Sequence, residues 1–92
     1  MLRGKVYIND QEQSGNCKFA GVKACMTCGF RDAFQKEAQA VAFTALAIIL
    51  EKYPDNADYL QTFEYRCEGE DAVRFWCIND DDYITFLLPD EY

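Results

Sequence analysis

Nine Lys and Arg against sixteen Asp and Glu give this 92-residue chain a net charge of −7, and it contains no histidine. A chain of this length buries only about 60–65% of the surface its unfolded form exposes, enough to cover one helix and one sheet but not to enclose a deep dry pocket. With the commonest general base and the imidazole metal ligand both missing, catalysis is not expected, and residues 1–92 read as a single domain that acts by binding.

Residues 3–9 alternate, with Val6 and Ile8 on one side and Lys5 and Tyr7 on the other, which is the period of a half-buried strand. The first ten residues lack the basic start and apolar run of a leader, which predicts a cytoplasmic protein. Residues 9–15 are polar and end in Ser14-Gly15, a turn signal. Residues 16–22, anchored by Phe19, read either as a second strand returning beside the first or as loop. Residues 23–31 read as a loop leading into a helix.

That helix is predicted over residues 32–54, the one stretch long and apolar enough for it. Asp32 is an N-cap residue, with Gln35 three positions on to complete a capping box, and Glu37 adds negative charge near the positive end of the helix dipole. Lys52 falls in the last turn and Pro54 forbids continuation. Phe34, Ala38, Val41 and Ala45 follow one another at steps of three or four, Ile48 and Ile49 lie three and four residues beyond Ala45, and together they make an apolar stripe for a sheet. Phe43, Leu46, Ala47 and Leu50 make the other side apolar too, so either residues 16–30 fold over it or it awaits a partner. The unbroken run 40–50, with Thr44 inside it, is shorter than the roughly 20 residues of a bilayer span, so no membrane association is expected.

After turn chemistry at residues 55–58, residues 59–68 set Phe63, Tyr65 and Cys67 against Thr62, Glu64 and Arg66. Residues 68–71 turn the chain, 72–79 form a strand, 79–82 turn again, and 83–88 are a last strand before Pro89. The fold class is therefore α+β: one long helix packed on an antiparallel sheet of about four strands, in the order βαβββ, or ββαβββ where residues 16–22 pair.

Five cysteines, an odd number, with no sign of secretion, read as reduced thiols and imply no cofactor. Cys25 and Cys28 have the spacing of a zinc knuckle, followed by Gly29, but a tetrahedral site needs two more ligands, which only Cys17, Cys67 and Cys77 offer among the thiols. A zinc-stabilised adaptor or regulatory domain is the alternative on that ground.

Charge divides along the chain: residues 1–36 hold six basic side chains against three acidic ones, and residues 37–92 hold three against thirteen. The sequence thus has two electrical poles, which bears on steering and partner choice. Lys18, Lys23, Arg31 and Lys36, interleaved with Phe19 and Phe30, form the one stretch resembling a nucleic-acid contact, or else scattered surface cations. Glu68, Glu70, Asp71, Asp80, Asp81 and Asp82 concentrate carboxylates at two turns, where they suit docking on a basic protein surface. A DNA mimic directed at some other DNA-binding protein would need such carboxylates in one continuous line.

The opening Met1-Leu2-Arg3-Gly4-Lys5-Val6-Tyr7-Ile8-Asn9-Asp10 and the length of the chain resemble the small phage-encoded anti-CRISPR proteins of the type I-F inhibitor group. That group has no diagnostic catalytic motif, so no functional residue carries over. The resemblance, which covers the whole chain, implies a protein in the cytoplasm of a bacterial host. It implies binding to the type I-F RNA-guided surveillance complex (Cascade, or Csy), whose basic channels hold a guide RNA, and a block on target DNA binding or hybridisation by occupancy. Under that implication the acidic turns face Lys and Arg residues of the complex, while Lys18, Lys23, Arg31 and Lys36 approach the guide RNA, with no small-molecule substrate and no membrane involved.

Overall fold

The computed structural model describes residues 2–92. Among these are five strands and two α-helices: β1 Lys5–Ile8, β2 Lys23–Met26, α1 Cys28–Phe34, α2 Ala38–Lys52, β3 Leu60–Arg66, β4 Val73–Asn79 and β5 Tyr83–Leu87. Short 3-10 turns follow α1 (Gln35–Glu37) and β5 (Pro89–Glu91). Both helices lie on one face of a single sheet of order β1-β3-β4-β5-β2.

The α+β class, with helix on sheet, stands. The sheet has five strands rather than about four and is mixed rather than antiparallel, because β2 runs parallel to β5 with Lys23 opposite Tyr83 and Met26 opposite Phe86. Residues 16–22 are not a strand beside β1. Their backbone is drawn elsewhere: Gly15 N–H donates to the Asn56 carbonyl at 3.0 Å and Cys17 N–H to that of Ala57 at 2.9 Å. Gly21, at φ 70°, then reverses the chain, and the residues read as loop form β2 at the far edge of the sheet.

The helix begins earlier than predicted, and Asp32 is not its N-cap. Thr27 caps α1, its Oγ1 accepting from Phe30 N–H at 3.2 Å, and Asp32 lies exposed within that helix. Glu91, from the turn after β5, adds a second cap by accepting from Gly29 N–H at 3.1 Å and from the Thr27 hydroxyl at 2.6 Å. Gln35 completes no capping box. It stands at φ 48°, outside the right-handed region, and breaks the helix between α1 and α2. The run Cys28–Lys52 has 25 residues and contains an 18-residue window of mean hydropathy 1.2, long and apolar enough by length and composition to cross a bilayer. The break leaves α2 with 15 residues, about 22 Å of helix against the roughly 30 Å of a hydrocarbon core. The end of α2 follows expectation: Lys52 is in the last turn and Tyr53 N–H closes on the Ile49 carbonyl, with Pro54 next.

The core is aromatic. Phe30 and Phe34 from α1 meet Phe75 of β4 at ring-centroid distances of 5.4 and 5.5 Å, and Phe63 of β3 stacks on Phe75 at 4.9 Å. Such pairs add about 0.5–1.5 kcal/mol each beyond the area they bury. Ala38, Val41, Ala42, Ala45 and Ile49 form the buried side of α2, where three alanines let its backbone approach the sheet closely. Phe19, from the loop before β2, also reaches the core. The loop nevertheless leaves the opposite side of α2 partly bare, with Phe43 63% and Leu50 39% exposed.

A polar cluster ties β1 to the start of α2. Glu37 accepts from Arg3 N–H at 2.7 Å, from the Arg3 guanidinium at 3.0 Å and from the Tyr65 hydroxyl at 2.9 Å, and Gly4 N–H donates to that hydroxyl at 2.9 Å. These bonds, the Arg3 backbone N–H foremost, hold the Glu37 carboxyl below its usual range. Burial pushes the Tyr65 hydroxyl up to about 12.

Candidate interaction surfaces

Because successive strand residues point to opposite faces, the sheet has an outer face that neither α-helix covers. Cross-strand register builds it row by row: Thr62 lies opposite Trp76 and Trp76 opposite Leu87, while Leu60 lies opposite Ile78, Ile78 opposite Thr85 and Thr85 opposite Cys25. The centre is apolar, made by Leu60, Trp76 and Ile78, all half-buried. Tyr92 shields one side of Trp76, ring to ring at 5.7 Å, and is itself 77% exposed. Toward β1 the face becomes polar, with Arg66 over the Tyr7 ring at 4.7 Å and paired to Glu64 at 3.0 Å.

The six acidic candidates do not gather at one pole. β3, β4 and β5 form an antiparallel meander, so its two turns must stand at opposite ends of β4, roughly 20 Å apart for a strand of this length. Glu68, Glu70 and Asp71 occupy one end, where Glu70 also accepts from Arg3 at 3.1 Å. Asp80, Asp81 and Asp82 occupy the other. There Asp81 takes φ 80° while its N–H donates to Asn79 Oδ1, and Asp80 Oδ1 accepts from Tyr83 N–H. The carboxylates therefore bracket the apolar centre of the outer face.

The basic candidates collect around the β2 edge, at both of its ends. Lys23 begins β2 opposite Tyr83, and the Lys18 carbonyl accepts from Asn79 Nδ2 at 2.6 Å, so both lie at the end that carries Asp80 to Asp82. Arg31 and Lys36, with Asp32 between them in sequence, line an open cleft of about 590 Å³ beyond the other end of β2. Each end of the sheet thus carries both signs, and the division by sequence half does not become a division in space.

Cys25 sits on the outer face, its Sγ 3.4 Å from Thr85 Oγ1, and Cys28 is the first residue of α1. No group of three or more metal-ligating side chains converges among the described residues. Cys77 is buried, which pushes its thiol up, and Cys17 is raised for the same reason.

Sequence reasoning missed the outer face. Its signal was present: Trp76 and Ile78 alternate with Phe75 and Cys77, so β4 is apolar on both sides, and a one-layer cover leaves one of those sides open. Comparison with protein-family models, curated protein sequences and solved structures gives no match for this chain.

Proposed function

We propose that this protein is a non-enzymatic inhibitor that acts by occupancy, docking the outer face of its sheet on a basic surface of a type I-F RNA-guided surveillance complex and keeping target DNA from the guide. One observation carries the reading: an uncovered sheet face, apolar at its centre, with a carboxylate turn at each end of β4. An apolar centre within a charged rim is the anatomy of a protein-binding patch, and carboxylates at two separated points suit a surface whose cations are spread along a nucleic-acid channel. The resemblance of residues 1–10 and of the chain length to the type I-F inhibitors supplies the choice of target. A DNA mimic is less well supported, since the carboxylates stand in two groups instead of one line.

The test is capture of the purified surveillance complex by the tagged full chain. Replacing Asp80, Asp81 and Asp82 with lysine, and separately Glu68 and Asp71, is expected to weaken capture in each case. Capture unchanged by both sets, or none by the parent chain, would overturn the reading.

A further inference from the structure

Beside β2 runs a second unpartnered feature, on the helix side of the sheet. β2 is the terminal strand. Thr27 N–H donates to the Phe86 carbonyl at 3.0 Å, and Met26 is the register partner of Phe86. In a parallel ladder the backbone groups alternate in direction, so Cys25 and Thr27 bond inward to β5 while Ala24 and Met26 turn their N–H and C=O groups out. A cleft of about 170 Å³ adjoins this edge, with Ala24, Met26 and Phe86 on the sheet side and Ala42, Phe43 and Leu46 on α2. Phe43, 63% exposed, forms the outer lip. Lys23 stands at one end of the edge and Arg31 and Lys36 beyond the other, and none of the three enters an ion pair among the described residues.

We propose that the β2 edge and this cleft bind an extended, acidic-flanked peptide segment of a partner protein by strand addition. An added strand satisfies both the outward donors and the outward acceptors of Ala24 and Met26, and its alternate side chains fall toward the cleft, where an aliphatic group fits between Phe43 and Leu46. Carboxylates on one flank of the apolar centre meet Arg31 and Lys36, the stronger charge contact, and on the other flank meet Lys23, which stands at the end that also carries Asp80 to Asp82. A second copy of this chain is disfavoured, because antiparallel pairing of two β2 edges brings Lys23 of each toward Arg31 and Lys36 of its mate. An RNA strand is disfavoured as well. Its phosphates offer acceptors but no donors, and an RNA strand lacks the regular repeat of paired donors and acceptors that the outward groups of Ala24 and Met26 call for. The proposal is independent of the outer-face reading, since the cleft lies on the opposite face of the sheet.

The experiment is fluorescence anisotropy of an end-blocked, labelled peptide, Glu-Asp-Val-Ile-Val-Asp-Glu, titrated with the full chain. Saturable binding is expected, weakened at least about tenfold, or ~1.4 kcal/mol, by Ala24→Pro and by Phe43→Asp. Ala24→Pro removes only an outward N–H on an edge strand, where proline is tolerated. Phe43→Asp alters a solvent-exposed side chain, and the thermal melt of each variant is measured alongside. A peptide N-methylated at its central residues, which tests the ladder without touching the protein, is expected to lose binding. No saturation by the parent chain, equal binding of the N-methylated peptide, unchanged affinity of Phe43→Asp, or displacement of the peptide by single-stranded RNA would each overturn the proposal.

Discussion

Replacing Thr27 with alanine tests where the helix begins, and therefore how β2 hands the chain to α1. The Thr27 hydroxyl oxygen accepts from Phe30 N–H at 3.2 Å and its hydrogen goes to Glu91 at 2.6 Å, so truncation removes the side-chain cap and half of the link to the C-terminal turn. Loss of a threonine N-cap costs about 1 kcal/mol, which in a domain of under 100 residues lowers Tm by roughly 4–8 °C. Asp32→Ala is the matched control. Asp32 is exposed inside α1, where alanine is the better helix former by up to ~0.7 kcal/mol, so its Tm should hold or rise. Both variants are read by circular dichroism melts at pH 7, with Trp76 fluorescence as a second probe of the transition. A Tm drop in Asp32→Ala together with a neutral Thr27→Ala would refute the placement of the cap.

Acid should loosen the ties at the two helix starts. Glu91, bonded foremost to the Thr27 hydroxyl, and Glu37, bonded foremost to Arg3 N–H, both have folded values below the ordinary 4.5. Their contribution is intact above that value and is lost as pH falls through the lowered folded values; urea unfolding at stepped pH should show the loss, and Glu91→Gln should flatten part of it. Two glycines separate rigid from yielding neighbours. A Cβ at Gly4 would meet the Arg66 carbonyl, backbone that cannot move without disturbing the β1–β3 pair, so Gly4→Ala should cost about 1–3 kcal/mol by denaturant titration. A Cβ at Gly29 would come within 2.5 Å of the Glu91 carboxylate, a flexible group. Gly29→Ala should therefore leave a folded protein whose acid limb resembles that of Glu91→Gln.

The meander was legible because its signals are local. Period-two alternation in Leu60–Arg66, the β-formers Val73, Phe75, Trp76 and Ile78 in Val73–Asn79, and Gly and Asp in the turns need no distant partner to be read. β2 was not, since four residues, Lys-Ala-Cys-Met, carry little pattern and become a strand only by lying beside β5, some sixty residues later. The cap at Thr27 was not legible for a similar reason, since Asp32 offered itself instead. Both have N-cap chemistry, and what decides between them is that Phe30 belongs to the core and that Glu91 arrives from the other end of the chain. The acidic turns were readable as residues, and their placement at opposite ends follows from any meander, yet the charge sums of the two sequence halves hid it. The outer sheet face emerged only once the register showed which side of β4 the helices leave bare.

Affinity of the full chain for the purified surveillance complex, measured for the parent and for Ile78→Asp, tests the docking face most directly. Ile78 lies at the centre of the outer face, so a carboxylate there is expected to weaken binding at least about tenfold while the thermal melt still reports a folded protein. Equal affinity of the two proteins, or no measurable binding by the parent, would contradict the account.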